Sequence, residues 1–222
     1  MHTDEPGLMA TAASPLFWAD RWRTGKTGWD LGGPHPGLAA LVEEAQSHGS
    51  LPAGSRILEP GCGRAHGGAA LARQGFRVTA FDVTREAIAA ARTLYEGVPG
   101  LELVVQDALL PVPEWRAGFQ GIYDRAMLCA LPGALRQSYV RACFDHLEPG
   151  GLLLTIPFTE VKISAAEGPP FAVPMAALAE LLLPGFSLIH AQEIVVPGDE
   201  TKVAKETLCL WRRRPKALVE ST

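Results

Sequence analysis

The chain has 222 residues, of which 47% are hydrophobic and 20% charged, so its composition excludes the polar excess of a disordered protein. Its net charge of -4 provides no basic surplus for binding a phosphate backbone, and we expect a small-molecule acceptor and no nucleic-acid partner. The length is consistent with one α/β domain, so residues 1–222 are predicted to fold as a single domain, present as a monomer or weak dimer.

The cysteines and the apolar segments bear on metal binding and on the compartment. The four cysteines are widely spaced and form no C-x-x-C pair or other metal-ligand spacing, which predicts free thiols and no metal site. No apolar run reaches the roughly 20 residues that span a bilayer, and the N-terminal segment carries Asp4 and Glu5 instead of basic residues. We therefore expect a cytoplasmic protein without a membrane partner.

Strand and helix patterns alternate along most of the chain. Residues 1–15 mix Gly, Pro, Ser and Thr without periodicity, which predicts a flexible tail. Apolar patterns predict five strands, at 55–59, 77–82, 101–106, 119–124 and 152–157. The helices predicted between them lie at 69–75, 85–95 and 132–147. This alternation favours a mainly parallel sheet with helices on both faces, which binds ligands at the carboxyl ends of its strands.

The last part of the chain departs from this alternation. After a predicted helix at 174–183, residues 186–196 and 204–212 form two strand patterns joined by a polar loop, which predicts an antiparallel hairpin. The fold class is thus a doubly wound, Rossmann-like α/β fold with a mainly parallel seven-stranded sheet and a C-terminal antiparallel hairpin. This order of elements resembles that of class I methyltransferases.

A glycine-containing segment follows the first predicted strand. It reads Glu59-Pro60-Gly61-Cys62-Gly63-Arg64, and its two glycines would allow the backbone to approach a ligand closely. Taken alone, two glycines are weak evidence, because a tight turn between a strand and a helix also accounts for them. The interpretation as a cofactor site therefore depends on the residues that accompany it.

His66 and Glu59 favour S-adenosylmethionine over a dinucleotide, whereas Asp82 is compatible with both. Asp82 ends the second strand roughly 20 residues after the glycines, where a carboxylate can bind ribose hydroxyls. A dinucleotide site would need a third glycine where His66 stands. Glu59 would repel a pyrophosphate, whereas it would attract the ammonium and sulfonium of S-adenosylmethionine.

Further segments resemble the thiopurine methyltransferase family, and most of all its branch of halide and thiol methyltransferases. The resemblance covers most of residues 17–213. The tryptophan spacing combined with the Asp-Arg-Ala segment is specific, whereas all class I enzymes share the glycine turn. The matching segments are Phe17-Trp18-Ala19-Asp20-Arg21-Trp22, Gly28-Trp29-Asp30, Glu59-Pro60-Gly61-Cys62-Gly63, Tyr123-Asp124-Arg125-Ala126, and Ala130-Leu131-Pro132 with Arg136.

The resemblance implies an enzyme that uses S-adenosylmethionine and releases S-adenosylhomocysteine. Residues 16–50 would form a lid over the cofactor, although the tryptophans could also serve simply to anchor a packing helix. Asp107 would bind the adenine amine, although an acid there could also cap a turn. The implied cofactor-binding residues are Trp18, Trp22, Trp29, Glu59, Gly61, Gly63, Asp82, Asp107 and Arg125.

The resemblance leaves the acceptor open within the family. Gly61 and Asp82 are typical of the halide and thiol branch, whereas Arg125 is the residue typical of thiopurine enzymes. Met127, Leu128 and Phe171 would wall an apolar acceptor pocket, a role shared with the Gly-Pro-Pro segment before Phe171. No residue is assigned a catalytic role, but Arg125 is a candidate for orienting the acceptor.

The predicted reaction is direct in-line methyl transfer to a small soft nucleophile, namely a thiol, a thiopurine or a halide. Residues 124–127 lack the Asn/Asp-Pro-Pro-aromatic signature of amide and exocyclic-amine methyltransferases. Lys202 and Lys205 could provide positive potential near an anionic acceptor, or simply be solvated. Two alternatives stay open: an O- or N-methyltransferase of a small secondary metabolite, and a non-catalytic module that binds S-adenosylmethionine.

Overall fold

The computed structural model describes residues 11–164, 168–194 and 203–215. In the described residues, strands and helices alternate up to the fifth strand, as predicted. The helices are α1 (Pro15–Arg23), α2 (Leu38–Ser47), α3 (His66–Arg73), α4 (Arg85–Tyr95), α5 (Met127–Ala130), α6 (Gly133–His146) and α7 (Met175–Leu182). The strands are β1 (Arg56–Pro60), β2 (Arg77–Asp82), β3 (Leu101–Val105), β4 (Phe119–Arg125), β5 (Leu147–Ile156), β6 (Phe158–Val161), β7 (Phe186–Ile194) and β8 (Val203–Arg213).

These strands form one mixed sheet. Strands β3, β2, β1, β4 and β5 lie side by side in that order and are parallel. β8 is antiparallel to β5 and pairs with β7 along its other edge, which confirms the predicted hairpin. Strand β6 was not predicted from the sequence. It follows β5 along the chain and pairs with the start of β8, so it extends the position of β5 in the sheet and adds no new one. The fold is the predicted Rossmann-like one, with seven strand positions across the sheet.

Apolar side chains cover both faces of this sheet. Ile57 and Leu58, which are neighbours on β1, belong to two different buried clusters. Neighbouring strand residues point to opposite faces, so the clusters lie on opposite sides of the sheet. One cluster includes residues of α5, α6 and α7, and the other includes residues of α2 and α3.

Two element boundaries differ from the sequence prediction by three residues or more. Helix α3 begins at His66, three residues before the predicted start, and includes Gly67 and Gly68. A Cβ at Gly67 would lie 2.4 Å from the Tyr123 ring, and one at Gly68 would lie 2.5 Å from Glu59 Oε2. Both positions thus require glycine for close packing, and glycine there does not mark the end of a loop. Strand β5 begins at Leu147, directly after α6.

Caps explain where the helices of the ligand-binding edge begin. The Ser14 hydroxyl accepts the Leu16 N–H, and Pro15 occupies the first turn of α1. The Thr84 hydroxyl accepts the Ala87 N–H at the start of α4. Across the described part of the chain, none of the helices is long and apolar enough to cross a membrane.

Candidate active site

A cavity of about 750 Å³ opens at the carboxyl ends of the parallel strands. Its volume lies in the range of small-molecule sites, and this edge of an open α/β sheet is where ligands bind. Every residue expected to contact the cofactor lines it: Trp18, Trp22, Trp29, Glu59, Gly61, Gly63, Asp82, Asp107 and Arg125.

The strand order arranges four charged residues of the cavity in a row. Asp107 follows β3, Asp82 ends β2, Glu59 lies near the end of β1, and Arg125 ends β4. Because these strands are neighbours in the order β3, β2, β1, β4, these three carboxylates occupy one half of the cavity. Arg125 marks the boundary with the other half, beside β5.

The glycine turn after β1 has the left-handed backbone that glycine adopts most easily. The φ angles of Gly61 and Gly63 are 61° and 54°. A Cβ at Gly61 would lie 2.5 Å from Met127 Sδ, and one at Gly63 would lie 3.6 Å from the Trp22 ring. The missing side chains let α5 and the N-terminal segment approach the turn from both sides.

Asp82 is held in place by backbone and hydroxyl donors. Its Oδ2 accepts the Gly63 N–H at 3.1 Å, and its Oδ1 accepts the Thr84 N–H and hydroxyl, both at 2.9 Å. Burial raises the pKa of Asp82, while these hydrogen bonds act in the opposite direction. The carboxylate is thus preorganised against the glycine turn, and it still borders the cavity.

Glu59 is buried behind the turn. Its Oε2 accepts the Gly68 N–H at 2.9 Å, and the packing of Gly67 and Gly68 makes room for the carboxyl group. Burial raises the pKa of Glu59 to about 8, against the lowering effect of the Gly68 N–H. A positive charge entering this part of the cavity would favour the ionised carboxylate.

Asp107 caps a turn as well as bordering the cavity. Its Oδ1 accepts the Leu109 N–H at 2.9 Å, which fixes the loop after β3. A turn cap and a ligand contact were alternative roles for Asp107 on the sequence alone. In the structure Asp107 both caps the turn and lines the cavity. A carboxylate oxygen has two lone pairs, so the capping bond leaves acceptor capacity for a ligand.

The three tryptophans of the N-terminal segment pack together over the cavity. The Trp29 ring contacts Trp18 and Trp22 edge to face, with centroids 5.5 Å and 6.0 Å apart. The Trp18 indole N–H donates to the Ala12 carbonyl at 3.0 Å. All three line the cavity, so packing and a ligand contact are compatible roles for them.

Arg125 links this N-terminal segment to the sheet. Its Nη1 donates to the Trp29 carbonyl at 2.7 Å, and its Nη2 lies 3.3 Å from Glu206 Oε1. The other oxygen of Glu206 lies 2.6 Å from His35 Nε2. Since His35 Nδ1 accepts the Gly37 N–H at 3.0 Å, the ring proton is on Nε2 and points to Glu206. Sequence reasoning missed this buried hydrogen-bond network, because its residues come from three distant segments.

A second link, also missed, centres on Asp30. Its carboxylate bonds to Arg64, and its Oδ1 lies 3.0 Å from His66 Nε2. The other nitrogen of His66 lies 2.6 Å from the Tyr95 hydroxyl. Burial would raise the pKa of Asp30, but the hydrogen bonds from Gly32, Arg64 and His66 outweigh it and lower the pKa. Asp30 follows Trp29 directly, and this adjacency was the available signal.

The half of the cavity beside β4 and β5 has an apolar wall. Of the three residues predicted for the acceptor pocket, Met127 lines this wall, whereas Leu128 and Phe171 do not. Met127 and Leu128 are consecutive in α5, so they point in different directions, and Leu128 is buried in the core. The Phe171 N–H donates to the Cys129 carbonyl at 2.7 Å. The residues that form this wall are Met127, Ala130, Leu131, Phe158, Pro169 and Pro170.

Other polar residues singled out in the sequence lie elsewhere. Lys205 pairs with Glu160 at 3.3 Å on the surface, and Lys202 lies outside the described residues. His35 is buried against Glu206. No group of histidine, cysteine and acidic side chains within the described ranges could hold a metal ion.

Sequence comparisons relate this chain to known enzymes. The sequence model of the family described as Thiopurine S-methyltransferase (TPMT) matches residues 13–214. Thiocyanate methyltransferase 1 of Arabidopsis thaliana is 31% identical over 206 residues, which cover 88% of this chain and 84% of that protein. Thiopurine S-methyltransferase of Bordetella pertussis is 30% identical over 181 residues, covering 74% of this chain and 80% of that protein.

Solved structures with the same fold are more distant in sequence. The 1,6-didemethyltoxoflavin-N1-methyltransferase of Burkholderia thailandensis aligns with a TM-score of 0.70 at 18% identity, covering 96% of this chain and 98% of that one. The N-methyltransferase NodS of Bradyrhizobium japonicum aligns with a TM-score of 0.63 at 19% identity, covering 79% and 85%. At such identities the likeness establishes the fold alone.

Proposed function

Because the chain belongs to the thiopurine S-methyltransferase family, it is an S-adenosylmethionine-dependent methyltransferase, and we propose that its acceptor is a small soft nucleophile. The acceptor class comprises thiols, thiopurines and small soft anions such as halides. Two relatives carry names of this kind, thiocyanate methyltransferase and thiopurine S-methyltransferase.

The acidic and aromatic side chains that line the cavity support the assignment of cofactor-binding residues. Glu59 would pair with the ammonium, Asp82 would bind the ribose hydroxyls, and Asp107 would accept from the adenine amine. The faces of Trp22 and Trp29 would stabilise the sulfonium through its positive charge. When bound, S-adenosylmethionine supplies an electrophilic methyl group on a sulfonium that leaves as a neutral thioether.

The apolar wall beside β4 and β5 is the observation that carries the acceptor proposal. A polarisable, weakly hydrated nucleophile loses little on entering an apolar pocket, and a thiolate or halide needs no base at the moment of transfer. An alcohol or an ammonium-type amine must lose a proton first. Both nitrogens of His35, the buried histidine of the cavity, are engaged by Gly37 and Glu206, so its ring is not available as that base.

The chain's own residues would contribute position and the exclusion of water. The links from Arg125 to Trp29 and from Arg64 to Asp30 hold the N-terminal segment over the strand ends. Met127 packs over the Gly61 turn, between the acidic half and the apolar half of the cavity. Alignment of nucleophile, methyl and leaving sulfur in a dry pocket is worth several kcal/mol, on the order of what proximity alone supplies.

A matched set of acceptors tests the proposal. Thiophenol, phenol and aniline share one ring and differ in the nucleophilic atom, so the purified protein is incubated with each and S-adenosylmethionine, and products are identified by mass spectrometry. We expect methylation of thiophenol at the highest rate, together with conversion of iodide to iodomethane. Preferential methylation of phenol or aniline would overturn the acceptor assignment.

A further inference from the structure

Arg136, on α6, contacts two separate stretches of backbone. Its Nε donates to the carbonyls of Leu128 and Leu131, at 3.0 Å and 3.2 Å. Its Nη1 donates to the Ala172 carbonyl at 3.3 Å, and its Nη2 to the Phe171 carbonyl at 3.4 Å. Arg136 itself does not line the cavity.

The two stretches are the ones that carry the apolar wall. The first contains Met127, Ala130 and Leu131, and the second follows Pro169 and Pro170 directly. Helix α5 has only four residues, too few to be stable without outside contacts. Its last carbonyls have no partner within the helix, and the Arg136 guanidinium supplies donors to that end.

The opposite end of α5 is held by another side chain of the same region. Asp124 Oδ1 accepts the Met127 N–H at 2.9 Å, and Asp124 Oδ2 accepts the Tyr139 hydroxyl at 2.9 Å. Tyr139 and Arg136 both lie on α6. One face of α6 therefore fixes both ends of α5, but only Arg136 also reaches the Phe171–Ala172 backbone.

A guanidinium suits this task better than an ammonium group. It presents five N–H donors in a rigid plane, so it can bond to carbonyls on two segments at once. Burial among these carbonyls lowers the pKa of Arg136. Within the described residues, its hydrogen-bond partners are these carbonyl oxygens and not a carboxylate.

We propose that Arg136 is a positioning residue that joins the two halves of the acceptor wall and thereby sets which acceptors are methylated. The inference rests on the proposed function of the cavity, but its structural part can be measured without turnover. Loss of the guanidinium should loosen α5 and residues 171–173, while the acidic half of the cavity keeps its geometry.

The test compares R136Q and R136K with R141Q. Arg141 lies on the same helix, is exposed, and pairs with Asp145 at 3.4 Å, so R141Q is the matched control. The first measurement is amide hydrogen exchange of residues 127–131 and 171–173 in the cofactor-free protein, with the Phe171 N–H as a reporter because it bonds to Cys129. The second is S-adenosylhomocysteine affinity by calorimetry, beside kcat and KM for thiophenol and a bulkier aromatic thiol.

We expect faster exchange in both segments of R136Q, unchanged S-adenosylhomocysteine affinity, and a fall in acceptor kcat/KM of about 100-fold, the scale of a small misplacement. Discrimination between the two thiols should also shrink, with R136K intermediate and R141Q like wild type. Should R136Q not fold, R136K is judged by the same measurements.

Unchanged exchange in both segments would overturn the proposal, and so would a loss of cofactor affinity as large as the loss of kcat/KM. Failure of the wild-type protein to methylate any thiol or halide would instead refute the proposed function. In that case the exchange and affinity measurements still decide whether Arg136 positions the wall.

Discussion

The Arg125 guanidinium donates to the Trp29 carbonyl at 2.7 Å, which fastens the N-terminal segment to the end of β4. The same guanidinium neutralises Glu206, which is almost completely buried. Arg125 thus contributes both to covering the cavity and to compensating a buried charge. This dual role sets the expected cost of changing Arg125.

R125Q should lower the free energy of unfolding by about 3 kcal/mol, because it leaves the buried Glu206 carboxylate without its cationic partner. Urea denaturation measures the change. R141Q serves as the control, since it breaks an exposed pair with Asp145 and should cost at most about 0.5 kcal/mol. Equal effects of the two substitutions would show that the buried Arg125–Glu206 pair stabilises the fold no more than the exposed pair does.

D82A should weaken S-adenosylhomocysteine binding by about 1.5 to 3 kcal/mol, because the proposed charge-assisted hydrogen bond to the ribose would be lost. Calorimetry gives the affinity. Asp82 also accepts from Gly63 and Thr84, so the melting temperature is recorded to separate binding from folding. D145N, which changes a surface carboxylate, is the control. An affinity equal to that of wild type would refute the role of Asp82 in the cofactor site.

W22A should weaken the binding of S-adenosylmethionine more than that of S-adenosylhomocysteine. Only the first carries a sulfonium, and the indole face should contribute about 0.5 to 2 kcal/mol to that cation. The two ligands thus provide an internal control for the packing of Trp22 against Trp29. Equal losses for both ligands, in parallel titrations, would assign Trp22 to packing alone.

Glu59 should make the cofactor-free protein less stable as pH rises. Burial raises its pKa from 4.5 to about 8 in the folded chain, so between these values the folded state binds more protons than the unfolded state. The contribution of this group to the free energy of unfolding is therefore complete below its unfolded pKa and is lost as pH rises towards 8. Asp124, whose pKa burial raises to about 6, acts in the same direction at lower pH.

E59Q should remove most of this slope between about pH 6 and pH 8, since the raised pKa of Glu59 lies at the upper end of that region and that of Asp124 at its lower end. Urea denaturation across the range measures it for both proteins. An identical slope in wild type and E59Q would mean that Glu59 is already ionised in the folded chain.

Local patterns in the sequence were sufficient to predict the order of the strands along the chain and the residues at their carboxyl ends. Periodicity places the strands, and the parallel arrangement then brings Glu59, Asp82 and Asp107 to one edge. Side-chain direction within a short helix was not predictable. Leu128 and Met127 are adjacent in sequence, yet only Met127 reaches the cavity.

Contacts between distant segments were beyond the reach of local patterns. His35 and Glu206 lie 171 positions apart, and neither stands in a motif that indicates the other. The Arg136 contacts are of the same kind. They are made to backbone carbonyls, which every residue type has, so the sequence does not indicate the partner. Such contacts follow only from the packing of the folded chain.

A crystal structure of the protein with S-adenosylhomocysteine and iodide would test the central claim most directly, because iodide is both a proposed acceptor and an anomalous scatterer. We expect the cofactor product along the ends of β3, β2 and β1, with its adenine near Asp107 and its amino group near Glu59. The iodide should lie beside Met127, facing the cofactor sulfur. Iodide confined to the protein surface, or a cofactor product bound away from the strand ends, would contradict it.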